Sequence, residues 1–130
     1  MPPESPQPGS AQDWLRYAAS DMELAKRSAS PAVLFESLCY HAQQCAEKSL
    51  KAVLVAHHVP VRRTHSIGLL LDLVSEHTFI PREIEEAAFL TDYAVMGRYP
   101  GDVEPITESE YERAIRLAEA VLTWARQIVR

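Results

Sequence analysis

His41, Gln44, Lys48 and Lys51 recur at helical spacing within residues 40–52, YHAQQCAEKSLKA, a segment whose other members are mostly apolar or small. A row made of an imidazole, an amide and two ammonium groups can grip an anion such as phosphate, or can hold a carboxylate of its own fold. At 100° per residue, with His41 at 0°, Lys48 falls at about 340°, Gln44 at about 300° and Lys51 at about 280°. All four therefore share one narrow strip, while apolar or small residues take nearly every other side. Ions drawn partly out of water cost several kcal/mol when unpaired, so something anionic or hydrogen-bonding must face the strip. Three sources are open: a carboxylate of the same fold, a second subunit, or a ligand phosphate.

A second constellation lies on two connectors. Arg62, Arg63 and His65 stand together on one, and Arg98 and Tyr99 on the other, both close in chain order to helix ends. Arginine presents a planar fork of donors suited to phosphate, and His65 near a helix start would add a donor beside free backbone N–H groups. The plainer reading makes the arginine pair a solvated turn, and Arg98-Tyr99-Pro100 a helix stop with Arg98 paired to Asp102 or Glu104. Catalytic templates are missing. The chain has no HExxH, no CxxC, no GxxxxGK[ST] and no GxGxxG, its glycines being scattered at 9, 68, 97 and 101. Cys39 and Cys45 project about 240° apart on one helix, too far round to bridge, and read as small buried hydrophobes in a reducing compartment. No catalytic residue, metal site or cofactor is assigned.

The elements that must position these groups are helical. Caps and apolar periodicity predict helices over about 11–27, 31–56, 66–76, 81–97 and from 107 to near the end, and no segment alternates with the period of a strand. Ser10 is the expected first N-cap, Pro31 suits a first helical turn, and Thr107 with Glu110 reads as a capping box. In the fourth helix the expected buried positions are Ile84, Ala87, Ala88, Leu90, Ala94 and Val95. Short connections between long helices favour antiparallel neighbours, so the expected fold class is all-α: an up-and-down antiparallel bundle of four long helices plus one short helix. The 130 residues suffice for one domain, over 11–130, behind a proline-rich N-terminal tail, 1–10, that is expected to be disordered. A formal charge of −5 argues against a general nucleic-acid binder while leaving room for a local basic patch. Neither a membrane span nor a secretory signal is apparent, so the expected location is cytoplasmic.

Several segments agree in order and spacing with a known family: DWLRYAASDMELAK, then YHAQQCAEKSLKAVLVAHHV, then RRTHSIGLLL, then LTDYAVMGRYPG and a final amphipathic helix. Over about 13–129 the chain resembles the HEPN domain family. The resemblance implies a helical bundle that usually dimerises, so a homodimer. It also implies a class often encoded beside a minimal nucleotidyltransferase as a two-protein, toxin–antitoxin-like module, with nucleotide or RNA as ligand. The ribonucleases of that family carry Arg, four to six intervening residues, then His. None of His41, His57, His58, His65 and His77 has an arginine five to seven residues upstream, so the chain resembles the branch that lacks the nuclease motif. The family's binding role then falls on His41, Gln44, Lys48, Lys51, His65, Arg98 and Tyr99. Two other readings stand beside it: a ribonuclease with an atypical Arg/His site, and a purely structural, antitoxin-like interaction protein.

Overall fold

The computed structural model describes residues 5–94 and 104–129. Its elements are α1 (Ala11–Ala25), α2 (Phe35–Ala56), α3 (Ile67–Ser75), α4 (Arg82–Glu85), a 3-10 helix over Glu86–Ala94, and α5 (Glu108–Ile128). The fold is all-α as expected, with no strand among the described residues. Nor is any helix among them long and apolar enough to cross a membrane.

Local chemistry sets the helix ends. Ser10 Oγ accepts from the Asp13 N–H at 3.1 Å and Thr107 Oγ1 from the Glu110 N–H at 3.1 Å, each satisfying one of the donors that a helix start leaves free. Gly9 N–H reaches Asp13 Oδ2 at 3.0 Å and Ser10 N–H reaches Gln7 O, so the end of the N-terminal tail is tied to α1. The second helix starts at Phe35, later than the proline suggests. Ser30 and Val33 exchange backbone bonds, and Ser30 Oγ accepts from the N–H groups of Ala32 and Val33, so Pro31 serves a tight turn instead of a first helical turn.

Helix α2 is the spine, packed against α1, α3, α5 and the 3-10 helix. Ala42, Cys45, Ala46, Leu50 and Val53 along it have no solvent exposure. Near Asp21 lies His41, and near Trp14 lies Lys51, so α1 runs antiparallel to α2. Phe35 meets Tyr111 at a ring-centroid distance of 5.0 Å and Cys45 Sγ lies 3.9 Å from Ala118 O, so α5 lies along α2 in the same sense. The return is made between α2 and α3. His58 at φ 60° turns the chain out of α2, a left-handed conformation that histidine tolerates better than most side chains, and Val59 N–H closes back on Leu54 O. The connector 59–66 then climbs back along α2 until His65 reaches Glu47.

The segment expected to be one α-helix over 81–97 is different within the described part. A single α-turn gives way to a 3-10 helix, and the buried residues are Ile84, Ala87, Leu90 and Tyr93, spaced by three. That is the period of a 3-10 helix, whose side chains at i and i+3 eclipse. Ala88, assigned to the core by 3.6-residue spacing, is exposed, and Val95 lies outside the described residues. The winding lets Thr91 Oγ1 accept from Ile67 N–H at the start of α3, and lets the Tyr93 hydroxyl donate to Glu110 on α5. Ala87→Leu should therefore cost about 1–3 kcal/mol through overpacking, while Ala88→Leu should stay within about 0.5 kcal/mol. Equal losses in urea melts of the two variants would reject the three-residue register.

Candidate ligand-binding site

Two buried carboxylates organise the polar groups of α2. Asp21, on α1, takes His41 Nδ1 at 3.0 Å on one oxygen and Lys48 Nζ at 2.6 Å on the other. Glu47, on α2 itself, takes Lys51 Nζ at 2.9 Å on Oε2, and His65 Nδ1 at 2.9 Å with Gln43 Nε2 at 3.1 Å on Oε1. Each acid thus holds one lysine and one histidine. Between them, Gln44 Nε2 donates to Gln43 Oε1 at 2.7 Å, and Gln43 Nε2 also reaches the backbone carbonyl of His65 at 3.1 Å. The result is a polar seam along α2 made of two clusters, one gathered by Asp21 at the α1–α2 contact and one by Glu47 facing the connector. Among the described residues no buried side-chain nitrogen or oxygen lacks a partner, as burial demands.

The anionic group demanded by the strip is therefore, at least in part, a carboxylate of the same fold. The four groups placed on one strip divide between two acids. His41 and Lys48 turn to Asp21, Lys51 turns to Glu47, and Gln44 donates to Gln43 of the Glu47 cluster. The Lys51 side chain is 7 % exposed and its acid 4 %, so this pair is enclosed, whereas the Lys48 side chain keeps 24 % of its surface. Lys51 Nζ also sits 5.6 Å from the centre of the Trp14 ring, and Lys48 Nζ 6.0 Å from that of Tyr17, an exposed ring that Arg16 also covers at 4.9 Å. Aromatic faces favour cations, and at the Lys48 end they produce an accessible mouth made of Arg16, Tyr17, His41 and Lys48.

His65 belongs to the same seam from the other end. Its ring is 72 % exposed although Nδ1 is fixed on Glu47. An ionised carboxylate only accepts, so Nδ1 carries the proton and Nε2 faces outward. Two of the backbone donors expected beside it are engaged: Ile67 N–H is taken by Thr91 and Leu69 N–H by Ser66 Oγ. Arg98 and Tyr99 lie outside the described residues. Cys39 and Cys45 are unlinked and buried, and burial pushes the Cys45 thiol up to about 12, which leaves it unreactive.

Asp21, Gln43 and Glu47 are the members of the seam that the strip alone does not reveal. Their spacing carries the signal. Asp21 falls among Ala18, Met22 and Ala25 on the buried face of α1, and Gln43, Glu47 and Lys51 form an i, i+4 ladder with the acid ahead of the lysine, the favourable order.

The described residues thus form a small all-helical bundle with a carboxylate-bound polar seam along its central helix. The HEPN domain model matches residues 11–128, and the chain belongs to that family. It is 28 % identical to the protein named "Putative toxin MJ1304" of Methanocaldococcus jannaschii, over 86 % of this chain and 83 % of that protein. Among solved structures it is similar to TT1696 from Thermus thermophilus, at 31 % identity and a TM-score of 0.79, over 92 % of this chain and 98 % of that one. It is also similar to ST0689, an archaeal HEPN homologue, at 31 % identity and a TM-score of 0.73, with 93 % and 98 % of the two chains covered.

Burial raises the Glu47 carboxyl, but hydrogen bonds from Lys51, Gln43 and His65 outweigh it and hold the group below the usual carboxylate range. A carboxyl depressed by folding contributes stability above its unfolded pKa, and that contribution disappears as pH falls through the folded value. Glu47→Gln leaves the buried Lys51 without its counter-charge, so it should lose about 3–5 kcal/mol at pH 7. The gap from the wild type should narrow on acidification below about pH 4, where the wild-type carboxyl also takes up a proton. Urea melts at both pH values measure this, and a gap that stayed constant would show that the charge of Glu47 is not what holds the cluster.

Proposed function

We propose that this HEPN protein is a non-catalytic binding module of a toxin–antitoxin-like pair. It acts in the cytoplasm as a homodimer with a minimal nucleotidyltransferase as its partner protein, and it takes a nucleotide or RNA as ligand. Two facts support the class of system: the family membership over residues 11–128, and the toxin name carried by the M. jannaschii relative. The non-catalytic reading rests on the five histidines, none of which follows an arginine at the spacing of the family's ribonucleases.

The observation that carries the binding role is the mouth at the Asp21 end of the seam. Lys48 and His41 are held in place by one buried carboxylate while keeping part of their surface open, and the exposed Tyr17 ring lies beside them. A fixed cation and a fixed imidazole next to an aromatic face suit a nucleotide, which offers a phosphate to the first two and a base to the third. Lys51 and Gln44 lie enclosed in the Glu47 cluster of the same helix.

A thermal-shift series with nucleoside mono-, di- and triphosphates, and inorganic phosphate as control, tests this reading. A nucleotide at about 100 times its dissociation constant stabilises by ~2.7 kcal/mol, a rise of roughly 10 °C for a domain of this size. Lys48→Gln, which removes the charge and keeps a hydrogen-bond donor on a side chain one atom shorter, should lose most of the rise. The same rise in that variant would remove Lys48 from the site, and no rise with any nucleotide would leave the partner protein as the only ligand.

A further inference from the structure

The two lysines of the seam are each paired with an acid, so beyond the single contact at Lys48 the seam adds little net charge for a run of phosphates. The charge that does remain lies next to it. Residues 48–71 contain Lys48, Lys51, Arg62, Arg63 and three of the five histidines, with no aspartate or glutamate, whereas the other nine Lys and Arg share the remaining chain with all eighteen acids. Lys48 and Lys51 are paired. Arg62 and Arg63 are exposed, and neither guanidinium has a partner among the described residues.

The backbone that bears them is held at several points. Thr64 N–H closes on Arg62 O at 3.0 Å, a three-residue turn with Arg63 at its apex, and Ser66 N–H is held by Thr64 Oγ1 at 3.1 Å. Two residues beyond the turn's apex, His65 is fixed through its ring by Glu47 and through its carbonyl by Gln43. A short loop anchored to a buried acid and a buried amide, with two unpaired arginines at its tip, presents cations on a backbone that is already ordered before a ligand arrives.

We infer that this loop, residues 62–65, holds phosphate groups beyond the one taken at Lys48, and that its occupant is a single strand of RNA whose neighbouring phosphates lie on Arg62 and Arg63. The inference rests on the nucleotide or RNA reading above and deepens it: the strand's phosphates lie on the connector, while the mouth at Lys48 and Tyr17 takes a nucleotide unit. A single strand fits better than a duplex. Two arginines on one three-residue turn match a short run of phosphates, and the acidic remainder of the surface repels the dense charge of a double helix.

Fluorescence anisotropy with labelled dodecauridylate at low salt reads this directly. The wild type should bind, with a log–log salt slope of about −1.4 for two phosphate contacts on a single strand. Arg62→Ala/Arg63→Ala should bind roughly tenfold more weakly or worse, with a flatter salt slope and an unchanged melting temperature, since these side chains hold nothing in the fold. Arg62→Lys/Arg63→Lys should recover part of the affinity. Wild-type binding that the alanine pair leaves intact would overturn the assignment of the loop while sparing the nucleotide reading. UTP binding as tightly as the oligonucleotide, and losing as much in the alanine pair, would overturn the strand as occupant. A wild type that binds neither would overturn this inference, while the nucleotide series above decides the nucleotide reading.

Discussion

The carboxylate of Glu47 is the constraint on which the rest of the molecule depends. It sits almost fully enclosed on the spine helix and receives three donors that come from different places: Lys51 one turn on, Gln43 one turn back, and His65 from the far end of the connector. An enclosed acid is tolerable only with such a complement, because an unpaired one costs far more than any single hydrogen bond returns. The complement in turn dictates topology. Having left α2 at His58, the chain must climb back to the level of Glu47 before α3 can begin, and this places α3 so that its first free N–H meets Thr91 of the 3-10 helix. A local demand for charge pairing thereby positions two elements that are distant in sequence.

Much of the fold is legible in the chain. Ser10 and Thr107 cap the helices their types announce, and the final helix is amphipathic as expected, with Ala118, Leu122 and Ala125 buried and Tyr111 and Ile115 packed against the core. Two boundaries are less legible for physical reasons. Pro31 satisfies a turn and a first helical turn equally well, and the hydroxyl of Ser30 decides for the turn by capping two N–H groups there. Residues 84–94 have alanines on both sides of the true register, so small side chains accept either a 3.6- or a 3.0-residue period. The placement of Thr91 and Tyr93 against other helices selects the second.

The site is legible as a set of cations and amides in need of partners, and illegible as to which partners. Helical projection places His41, Gln44, Lys48 and Lys51 together but cannot say that Asp21 on a neighbouring helix and Glu47 on the same one divide them. That division depends on how α1 and the connector pack, which is a tertiary outcome. It also separates two roles that the sequence blends. Lys51 and Gln44 are enclosed and structural, whereas Lys48, His41 and His65 keep an open edge. The groups with an open edge are therefore Lys48 and His41 on Asp21 and His65 on Glu47, and membership of the HEPN family gives that arrangement its functional context.

Backbone-amide hydrogen exchange in Glu47→Gln against the wild type tests most directly whether Glu47 holds the connector in place. Release of His65 should speed exchange at Ser66 and Ile67, whose N–H groups depend on Thr64 and Thr91 across the connector, while the middle of α5 keeps its protection as an internal control. Unchanged exchange at Ser66 and Ile67, with α5 equally intact, would contradict the account by showing that the connector holds its place without the buried acid.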